Sequence, residues 1–482
     1  MHTQTAMQVD LGKNCAPPLT AKLAPWMTKL LSCPDLLSEF LTNYGSPCHI
    51  VVDHEFDRNV SKFMSAFADR GVKGRLFFAR KANKLPCFVS AANRNKIGVD
   101  TASLAEVVET LALDIPADNI IVTAIGKERE LITKALSSGC LLVIDNFDEL
   151  DLIQTIAQEL GKQARVGLRF AGFEYGGKRI FSRFGIAVED AEAVIEQVSK
   201  DTNLHLEILH AHLDRYDTGE RAAAGRKLIS LVDFARGLGC AVKGIDLGGG
   251  ILMRYLNDAS QWKHFQDELL SSVKGEREGF TFRGDGFGYT RIGNEIIGQP
   301  DLYPAHNELA KQRFIGAVLD NTESGGAPFS KLLIERQLEI YFEPGRSLLD
   351  NCGMTFSKVT FRKIDTEGNF MVGLAMNRMN LRPFRVEFPC DPLFVQTAEG
   401  AASPQRRYAE AGAFLVGNLC SESDLIYRRR IKMESIPQPG DICAFPNTAG
   451  YLAHHMEIGT HGSPVPKNLL LQNETWEVKG VF

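Results

Sequence analysis

Eight short apolar runs, separated by stretches with helical periodicity, restrict the fold of this chain more than any other feature. The runs begin near Leu76, Ile97, Ile120, Leu141, Arg165, Leu206, Val242 and Leu338. Helix-patterned stretches such as SLAEVVETLAL and KERELITKALSS fill most of the gaps between them. Strands that alternate with helices pair in parallel through right-handed crossovers. Eight such units, with apolar rather than alternating strands, predict an α/β fold built on a closed (β/α)₈ TIM barrel.

The rest of the chain does not show this alternation of strands and helices. Segment 252–337 is far longer than one crossover and predicts an insertion, of the kind that forms lids, binding loops or interfaces. After Arg346, short strand patterns are separated by turn signals without comparable helices, which predicts a β-sandwich or β-barrel domain. Residues 1–24 lack a pattern and predict a loosely docked end, whereas CHIVVD at 48–53 predicts a strand. We therefore expect three parts: an N-terminal helical segment with a strand that joins the β-domain (1–53), the barrel with its insertion (54–345) and the C-terminal β-domain (346–482).

Composition excludes several classes of function. The 54 basic and 59 acidic side chains give a net charge of −5, which argues against a nucleic-acid partner. No window approaches the ~20 apolar residues that span a bilayer, and the first residues lack the pattern of a secretory signal. The ten cysteines form no CxxC or CxH pair, so we expect neither a metal site nor a disulfide framework. A cytoplasmic enzyme without a membrane partner is the resulting expectation.

Ionisable residues follow the first predicted strands, where barrel enzymes place their reactive groups. Lys81 follows a mostly apolar run and Asp100 ends the second strand. A lysine that emerges from a buried strand is desolvated, which lowers the pKa of its amine and makes it a nucleophile able to form a Schiff base. The alternative is a surface lysine just past the barrel rim.

The last strands carry the groups expected of a phosphate site. Three glycines follow the seventh strand: Gly248, Gly249 and Gly250. Their amides can bind an anion at a strand-to-helix turn, although a tight structural turn is the alternative. Glu343 and Arg346 flank Pro-Gly at the end of the eighth strand. Arg346 can complete a phosphate cradle and Glu343 can face a ring nitrogen, unless the two form a local ion pair. His212 can stack on a flat cofactor, or it is a core residue.

A lysine, a phosphate cradle, a carboxylate and a flat-faced histidine together describe a site for pyridoxal 5′-phosphate (PLP). In this interpretation Lys81 holds the aldehyde as an imine and Glu343 keeps the pyridine nitrogen protonated. The glycine amides and Arg346 neutralise the phosphate.

Several motifs then resemble, in order, those of the PLP-dependent fold type III decarboxylases that act on ornithine, arginine and diaminopimelate. They are FFARKANKLP, GVDTASLAEV, HAHLDRYDT, IDLGGGI and YFEPGRSLL, and the resemblance runs from about residue 45 to 475. It implies an alanine-racemase-like barrel with a β-domain, PLP as cofactor, and a homodimer with shared active sites. It also implies that Lys81 is the imine lysine, that His212 stacks on the ring, and that Asp100, Gly345 and Arg346 contact the cofactor.

In the β-domain the resemblance nominates further residues. GNLCSESD resembles the segment whose cysteine crosses the dimer interface, which implies a catalytic role for Cys420 and substrate contacts for Ser421 and Asp424. AGYLAHH resembles the segment with a phosphate-contacting tyrosine, here Tyr451. LRPF resembles the segment that holds a distal carboxylate in diaminopimelate enzymes, which nominates Arg382.

The departures from the family pattern bear on the substrate. Asp214 and Arg215 stand where the family has a Gly-Ser pair, Ser421 stands where an acidic residue commonly follows the cysteine, and Val386 replaces a tyrosine. We therefore expect α-decarboxylation of a diaminopimelate- or ornithine-like amino acid, or of a larger carboxylate-bearing conjugate. The alternatives are a PLP-dependent racemase or aldolase, which Glu343 disfavours, and a non-catalytic family member that acts as a partner or regulator.

Overall fold

The computed structural model describes residues 14–323, 325–383, 385–403, 412–454, 456, 459–472 and 475–482. These residues form two compact units. The barrel unit comprises 55–252 and 308–348, and the sheet unit comprises the chain up to His54, Met253–Asn307 and Leu349–Phe482.

Eight parallel strands close into a barrel in the barrel unit. They are β1 (Lys73–Ala79), β2 (Gly98–Thr101), β3 (Ile120–Val122), β4 (Leu141–Ile144), β5 (Ala164–Ala171), β6 (Leu204–Ala211), β7 (Gly244–Asp246) and β8 (Glu339–Phe342). Each pairs in parallel with the next, and β8 pairs with β1 from Glu339↔Lys73 to Phe342↔Leu76, which closes the ring. The predicted TIM barrel, with its eight strands at the predicted places, is confirmed.

Helices cover the outside of the barrel because their apolar faces need burial against the strands. The helices of this unit are His54–Ala68, Pro86–Arg94, Leu104–Ala112, Arg129–Ser138, Phe147–Leu160, Ala191–Ser199, Thr218–Gly237, Gln312–Leu319 and Phe329–Glu335. Ser103, Asn146 and Asp217 cap three of them by accepting backbone N–H groups of the first turn. Inside the ring, large apolar residues such as Phe77, Ile208 and Tyr341 fill the core.

The main sheet of the sheet unit has nine strands among the described residues: Cys48–Val51, Gly353–Ile364, Phe370–Leu374, Leu393–Val395, Gly412–Val416, Ile431–Lys432, Ile442–Pro446, Lys467–Leu471 and Val478–Val481. Strands Tyr289–Ile292 and Glu295–Gly298 form a separate antiparallel pair in the same unit. Gly353–Ile364 is central and pairs with Cys48–Val51, Phe370–Leu374 and Ile442–Pro446, all antiparallel. Helices Pro25–Leu31, Pro34–Tyr44, Ala259–Lys274 and Ala398–Ala402 belong to the same unit. The separate, mainly β-structured domain is thus confirmed.

Two segments differ from what their sequence pattern suggests. Residues 14–24 are held in place rather than loosely docked: Leu19 is buried and its amide donates to Asp391, while Lys22 forms a 2.7 Å ion pair with Asp350. Residues 1–13 lie outside the described residues. The segment 252–337 divides between the units, since 253–307 clusters with the sheet unit and 308–337 with the barrel unit.

No helix among the described residues is long and apolar enough to cross a membrane.

Candidate active site

Lys81 lies in a short 3₁₀ turn, Arg80–Ala82, that follows β1 at the C-terminal end of the barrel. The side chain of Arg80 is fully buried, donates to the Thr110 hydroxyl at 3.0 Å and pairs with Glu109, so it fixes one side of the turn. Lys81 points the other way and its Nζ lies 3.4 Å from a carboxylate oxygen of Asp100. Its side chain is 43% exposed, which leaves the amine accessible to a small molecule.

Asp100 is the last residue but one of β2 and is almost fully buried. One oxygen accepts a hydrogen bond from Thr123 Oγ1 at 2.5 Å and the other faces Lys81. Burial raises the pKa of Asp100 to about 6, although the charge of Lys81 opposes this effect. Asp100 is therefore well placed to orient the lysine amine and to share its proton.

A buried cluster of three ionisable side chains lies on β6, β7 and the end of β8. His210 Nε2 lies 3.1 Å from Glu343 Oε1. One ring nitrogen of His210 and one carboxylate oxygen each of Asp246 and Glu343 all lie within 4.8 Å of one another. At most 2% of any of these residues is exposed. Parallel strands bring the ends of neighbouring elements together in this way, so three residues far apart in sequence meet at one place.

Proton occupancy in this cluster follows from burial and neighbouring charge. Burial lowers the pKa of His210 well below its usual value, and Arg169 and Lys81 lower it further, so the ring is neutral. Burial raises the pKa of Asp246 well above its usual range, and the charge of Glu343 raises it further. Burial also raises the pKa of Glu343, with Lys81 and Arg169 opposing. Two carboxyl groups so close in a buried site make it costly for both to be charged at once.

The glycine turn after β7 runs beside this cluster and leaves no room for side chains. Gly248 and Gly250 adopt φ of +65° and +74°, the left-handed region that favours glycine. A Cβ on Gly249 would lie 2.7 Å from the Glu343 backbone oxygen. A Cβ on Gly248 would lie 2.9 Å from His212 Nδ1. The backbone of the turn thus packs directly against Glu343 and His212.

Arg221 is a buried cation that sequence reasoning missed. It lies on helix Thr218–Gly237 and is fully buried. Its guanidinium donates to the backbone oxygens of Leu247 (2.7 Å), Leu213 (3.2 Å) and Arg215 (3.2 Å), so it joins the glycine turn to the loop after β6. Burial lowers the pKa of Arg221 to about 10, which leaves it charged at neutral pH. A helix-patterned stretch gives no signal that its arginine turns inward.

The remaining predicted barrel residues lie where parallel strands end. His212 follows β6, and its ring meets Phe184 edge-on at 5.9 Å. Burial lowers the pKa of His212 well below its usual value, so it presents a neutral ring. Gly345 and Arg346 follow β8 and are buried. The barrel therefore gathers the predicted lysine, histidine and glutamate with the glycine turn.

The other predicted residues belong to the sheet unit. Cys420 and Ser421 are exposed, and Tyr451 is half-buried at a left-handed φ of +62°. Asp424 is buried, and its two oxygens accept the backbone N–H groups of Arg378 (2.7 Å) and Leu419 (2.8 Å). These bonds shape the loop around Asp424, and its substrate contact stays a prediction.

Arg382 lines a cavity of about 160 Å³ in the sheet unit. Its backbone amide donates to Leu452. Its contact with a substrate carboxylate, like the interface role of Cys420, stays a prediction.

The barrel residues fit PLP. The glycine turn is a bare backbone cradle, Lys81 supplies an accessible amine, and Glu343 supplies a carboxyl group for a ring nitrogen. In the described part of the chain, Asp246 Oδ2 and His210 Nδ1 are buried without a hydrogen-bond partner. A flat, polar ring held against Glu343 suits such a cluster, because buried polar groups without partners are costly.

Comparison with known proteins agrees with this geometry. Residues 54–281 match the family model described as "Pyridoxal-dependent decarboxylase, pyridoxal binding domain", a range that includes Lys81, Asp100, His212 and the glycine turn. The diaminopimelate decarboxylase of Zymomonas mobilis is 24% identical to this chain over 407 residues. The alignment covers 82% of this chain and 80% of the relative. The uncharacterised protein y4yA of Sinorhizobium fredii is 24% identical over 460 residues, covering 95% and 93%.

A solved structure shows the same fold. Diaminopimelate decarboxylase from Helicobacter pylori complexed with L-lysine superposes with a TM-score of 0.67 at 19% identity, covering 91% of this chain and 94% of that chain. The chain is thus similar over residues 54–281 to the pyridoxal-binding domain of the PLP-dependent decarboxylases, and over most of its length it is similar to diaminopimelate decarboxylases in sequence and in fold.

Proposed function

We propose that this protein removes the α-carboxylate of an amino acid whose far end is anionic, with PLP held in the barrel unit. The observation that carries the proposal is the meeting of Lys81, Asp100, Glu343 and the glycine turn at the C-terminal end of one barrel. Decarboxylation needs a nucleophilic amine to hold the cofactor and an acid to keep its ring cationic. This barrel has both.

PLP, when bound, supplies a ring that accepts the electron pair left on the α-carbon as CO₂ departs. Glu343 would hold a proton at the ring nitrogen, because a buried carboxylate beside His210 and Asp246 is stabilised by a cation at its remaining side. This pairing favours decarboxylation over racemisation, since a retained ring proton strengthens the electron sink.

Proton transfer in the site involves Lys81 Nζ and the carboxyl group of Asp100. The buried Asp100 carboxylate lies 3.4 Å from this atom and stabilises its charged form. Burial gives Asp100 a pKa of about 6, so its carboxyl group can take up and release a proton near neutral pH beside Lys81 Nζ. Lys81 therefore serves both to hold the cofactor and to return a proton to the substrate.

We also propose that the enzyme is a homodimer in which Cys420 of a second copy reaches the substrate. Its exposed thiol supports this role, because a residue that reaches a neighbouring site must lie on the surface of its own chain. A monomer in solution with full activity would contradict this part of the proposal.

Spectroscopy of the purified protein tests the cofactor assignment directly. The wild type is expected to show the absorbance of lysine-bound PLP, and Lys81→Ala to lose it. Lys62→Ala is the matched control, since Lys62 is exposed on helix His54–Ala68 outside the site. A Lys81→Ala protein that keeps the wild-type absorbance, while still folded by circular dichroism, would refute the assignment.

Product analysis tests the reaction. CO₂ release is measured with diaminopimelate, ornithine, arginine, lysine and amino acids conjugated to carboxylates, together with the chirality of the recovered amino acid. We expect CO₂ from substrates with an anionic far end. Loss of chirality without CO₂ would identify a racemase instead.

A further inference from the structure

Thr123 is a buried residue of the barrel unit to which the proposed reaction assigns no role. It directly follows β3, at the C-terminal end of the barrel. Its Oγ1 donates a hydrogen bond to Asp100 Oδ1 at 2.5 Å, while Asp100 Oδ2 lies 3.4 Å from Lys81 Nζ. Thr123 therefore binds the Asp100 carboxylate through the oxygen that does not face the lysine.

The backbone of Thr123 is fixed from two sides. Its amide donates to the backbone oxygen of Thr101 on β2 at 3.1 Å, and its own carbonyl accepts a hydrogen bond from Arg169 Nη2 on β5 at 2.7 Å. Arg169 Nη1 in turn pairs with Asp145 at 2.8 Å. A β-branched side chain on such a fixed backbone has few χ1 rotamers. The Thr123 hydroxyl is thus held in place by the barrel itself.

This fixed hydroxyl determines how the Asp100 carboxylate is turned. An aspartate carboxylate rotates broadly about its Cβ–Cγ bond when nothing restrains it. A donor on one oxygen stops this rotation and fixes the position of the other oxygen. Because Thr123 binds Oδ1, Oδ2 is left to face Lys81 Nζ.

Charged groups from several elements act on Asp100. They are Lys81 after β1, Glu106 on helix Leu104–Ala112, Arg169 on β5, Asp246 on β7 and Glu343 after β8. Burial raises the pKa of Asp100 to about 6, the charge of Lys81 opposes this effect, and the charge of Glu343 adds to it. The hydrogen bond from Thr123 lowers the pKa of Asp100. The hydroxyl therefore favours the charged form of the carboxylate, as a donor to an anion does.

We propose that Thr123 is a positioning residue, whose hydroxyl keeps the Asp100 carboxylate charged and turned towards Lys81 Nζ. The proposal rests on the proposed function for the role of Lys81, whereas the effect of Thr123 on Asp100 does not depend on the reaction. A hydroxyl that only filled space between the strands would leave the proton of Asp100 unaffected.

Infrared spectroscopy of the full-length, PLP-loaded protein tests this effect directly, because a protonated carboxyl group has a C=O band that a carboxylate lacks. The band of Asp100 is identified by its loss in Asp100→Asn, and its intensity is followed from about pH 4 to about pH 9. Thr123→Val removes the hydroxyl and keeps the shape of the side chain. It should raise the midpoint of this titration by at least about one pH unit, a tenfold change in proton affinity. Thr123→Ser, which restores the donor, should stay within about 0.3 pH unit of the wild type.

Thr101→Val is the matched control. Thr101 is also buried beside Asp100, but its hydroxyl donates to the backbone oxygen of Ile121 at 3.1 Å. Its loss should leave the Asp100 midpoint unchanged. An unchanged midpoint in Thr123→Val, or an equal rise in Thr101→Val, would overturn the proposal. Thr123→Ala removes the same hydroxyl with less bulk and decides the question if the valine variant does not fold.

Turnover separates this proposal from the proposed function. With an amino acid that the wild type decarboxylates, the fall of kcat/KM on the acidic side should move to higher pH in Thr123→Val, by about as much as the infrared midpoint, and return in Thr123→Ser. CO₂ release by the wild type with no infrared shift in Thr123→Val would refute the role of Thr123 and leave the decarboxylase. The infrared shift without CO₂ release from any amino acid would refute the decarboxylase and uphold the action of Thr123 on Asp100.

Discussion

Replacing Gly249 with alanine tests the idea that the glycine turn must remain bare backbone. The added Cβ would lie 2.7 Å from the backbone oxygen of Glu343, closer than real Cβ atoms approach any atom. Unlike Gly248 and Gly250, Gly249 does not adopt a left-handed φ, so the expected cost comes from this contact alone.

The size of the effect follows from what the contact would displace. The obstructing atom belongs to the backbone of Glu343, whose own amide donates to Gly248 at 3.0 Å, so it cannot swing aside as a side chain would. Overpacking of this kind costs about 1–3 kcal/mol. A shift of the Glu343 backbone also moves its carboxyl group, and PLP binding must then move this group back. We expect PLP affinity to fall by about tenfold for each 1.4 kcal/mol that this movement costs.

Urea unfolding of the PLP-free protein and titration with PLP measure the two effects. Gly237→Ala is the matched control: no atom lies within 4 Å of its Cβ position, and it ends helix Thr218–Gly237. Alanine there should leave stability unchanged or raise it by up to about 1 kcal/mol. A Gly249→Ala protein with wild-type unfolding midpoint and wild-type PLP affinity would show that the turn tolerates a side chain.

Three further substitutions probe buried charges. Burial raises the pKa of Glu207, but hydrogen bonds from Arg165 and Lys243 outweigh it and lower the pKa to about 2. Glu207→Gln should therefore cost about 1–3 kcal/mol in urea unfolding at pH 7, and the deficit should shrink as the pH falls from about 4 towards 2, with the PLP absorbance unchanged. Burial raises the pKa of Asp100 to about 6, so the protonated carboxyl stabilises the fold below pH 4, and this stability is lost as the pH rises through 6. The free energy of unfolding of Asp100→Asn, measured across this pH range, should not show that loss. Arg221→Met should lower the free energy of unfolding by about 2 kcal/mol or more and weaken PLP binding, since it leaves three backbone oxygens without their donor; unchanged values in both assays would contradict its role in joining the two loops.

The barrel could be predicted because its signal is local and repeated. Every strand is an apolar run of a few residues followed by a helical pattern, and the order of these units determines parallel pairing. The placement of 253–307 could not be predicted in the same way. Which unit it joins depends on pairs such as Arg428–Asp285 and Arg385–Asp301, and neither residue type nor spacing marks such long-range partners.

The same contrast applies to the site. Lys81, Glu343 and the glycine turn were found because each stands at the end of an apolar strand, where a charged or flexible residue is conspicuous. Asp246 also stands there, directly before Leu247 and the glycines, so its position in the sequence carries the same signal. The sequence gives no such signal for Arg221, since an arginine on a helix is usually solvated. Only the carbonyl oxygens around its guanidinium show that it joins the glycine turn to the loop after β6.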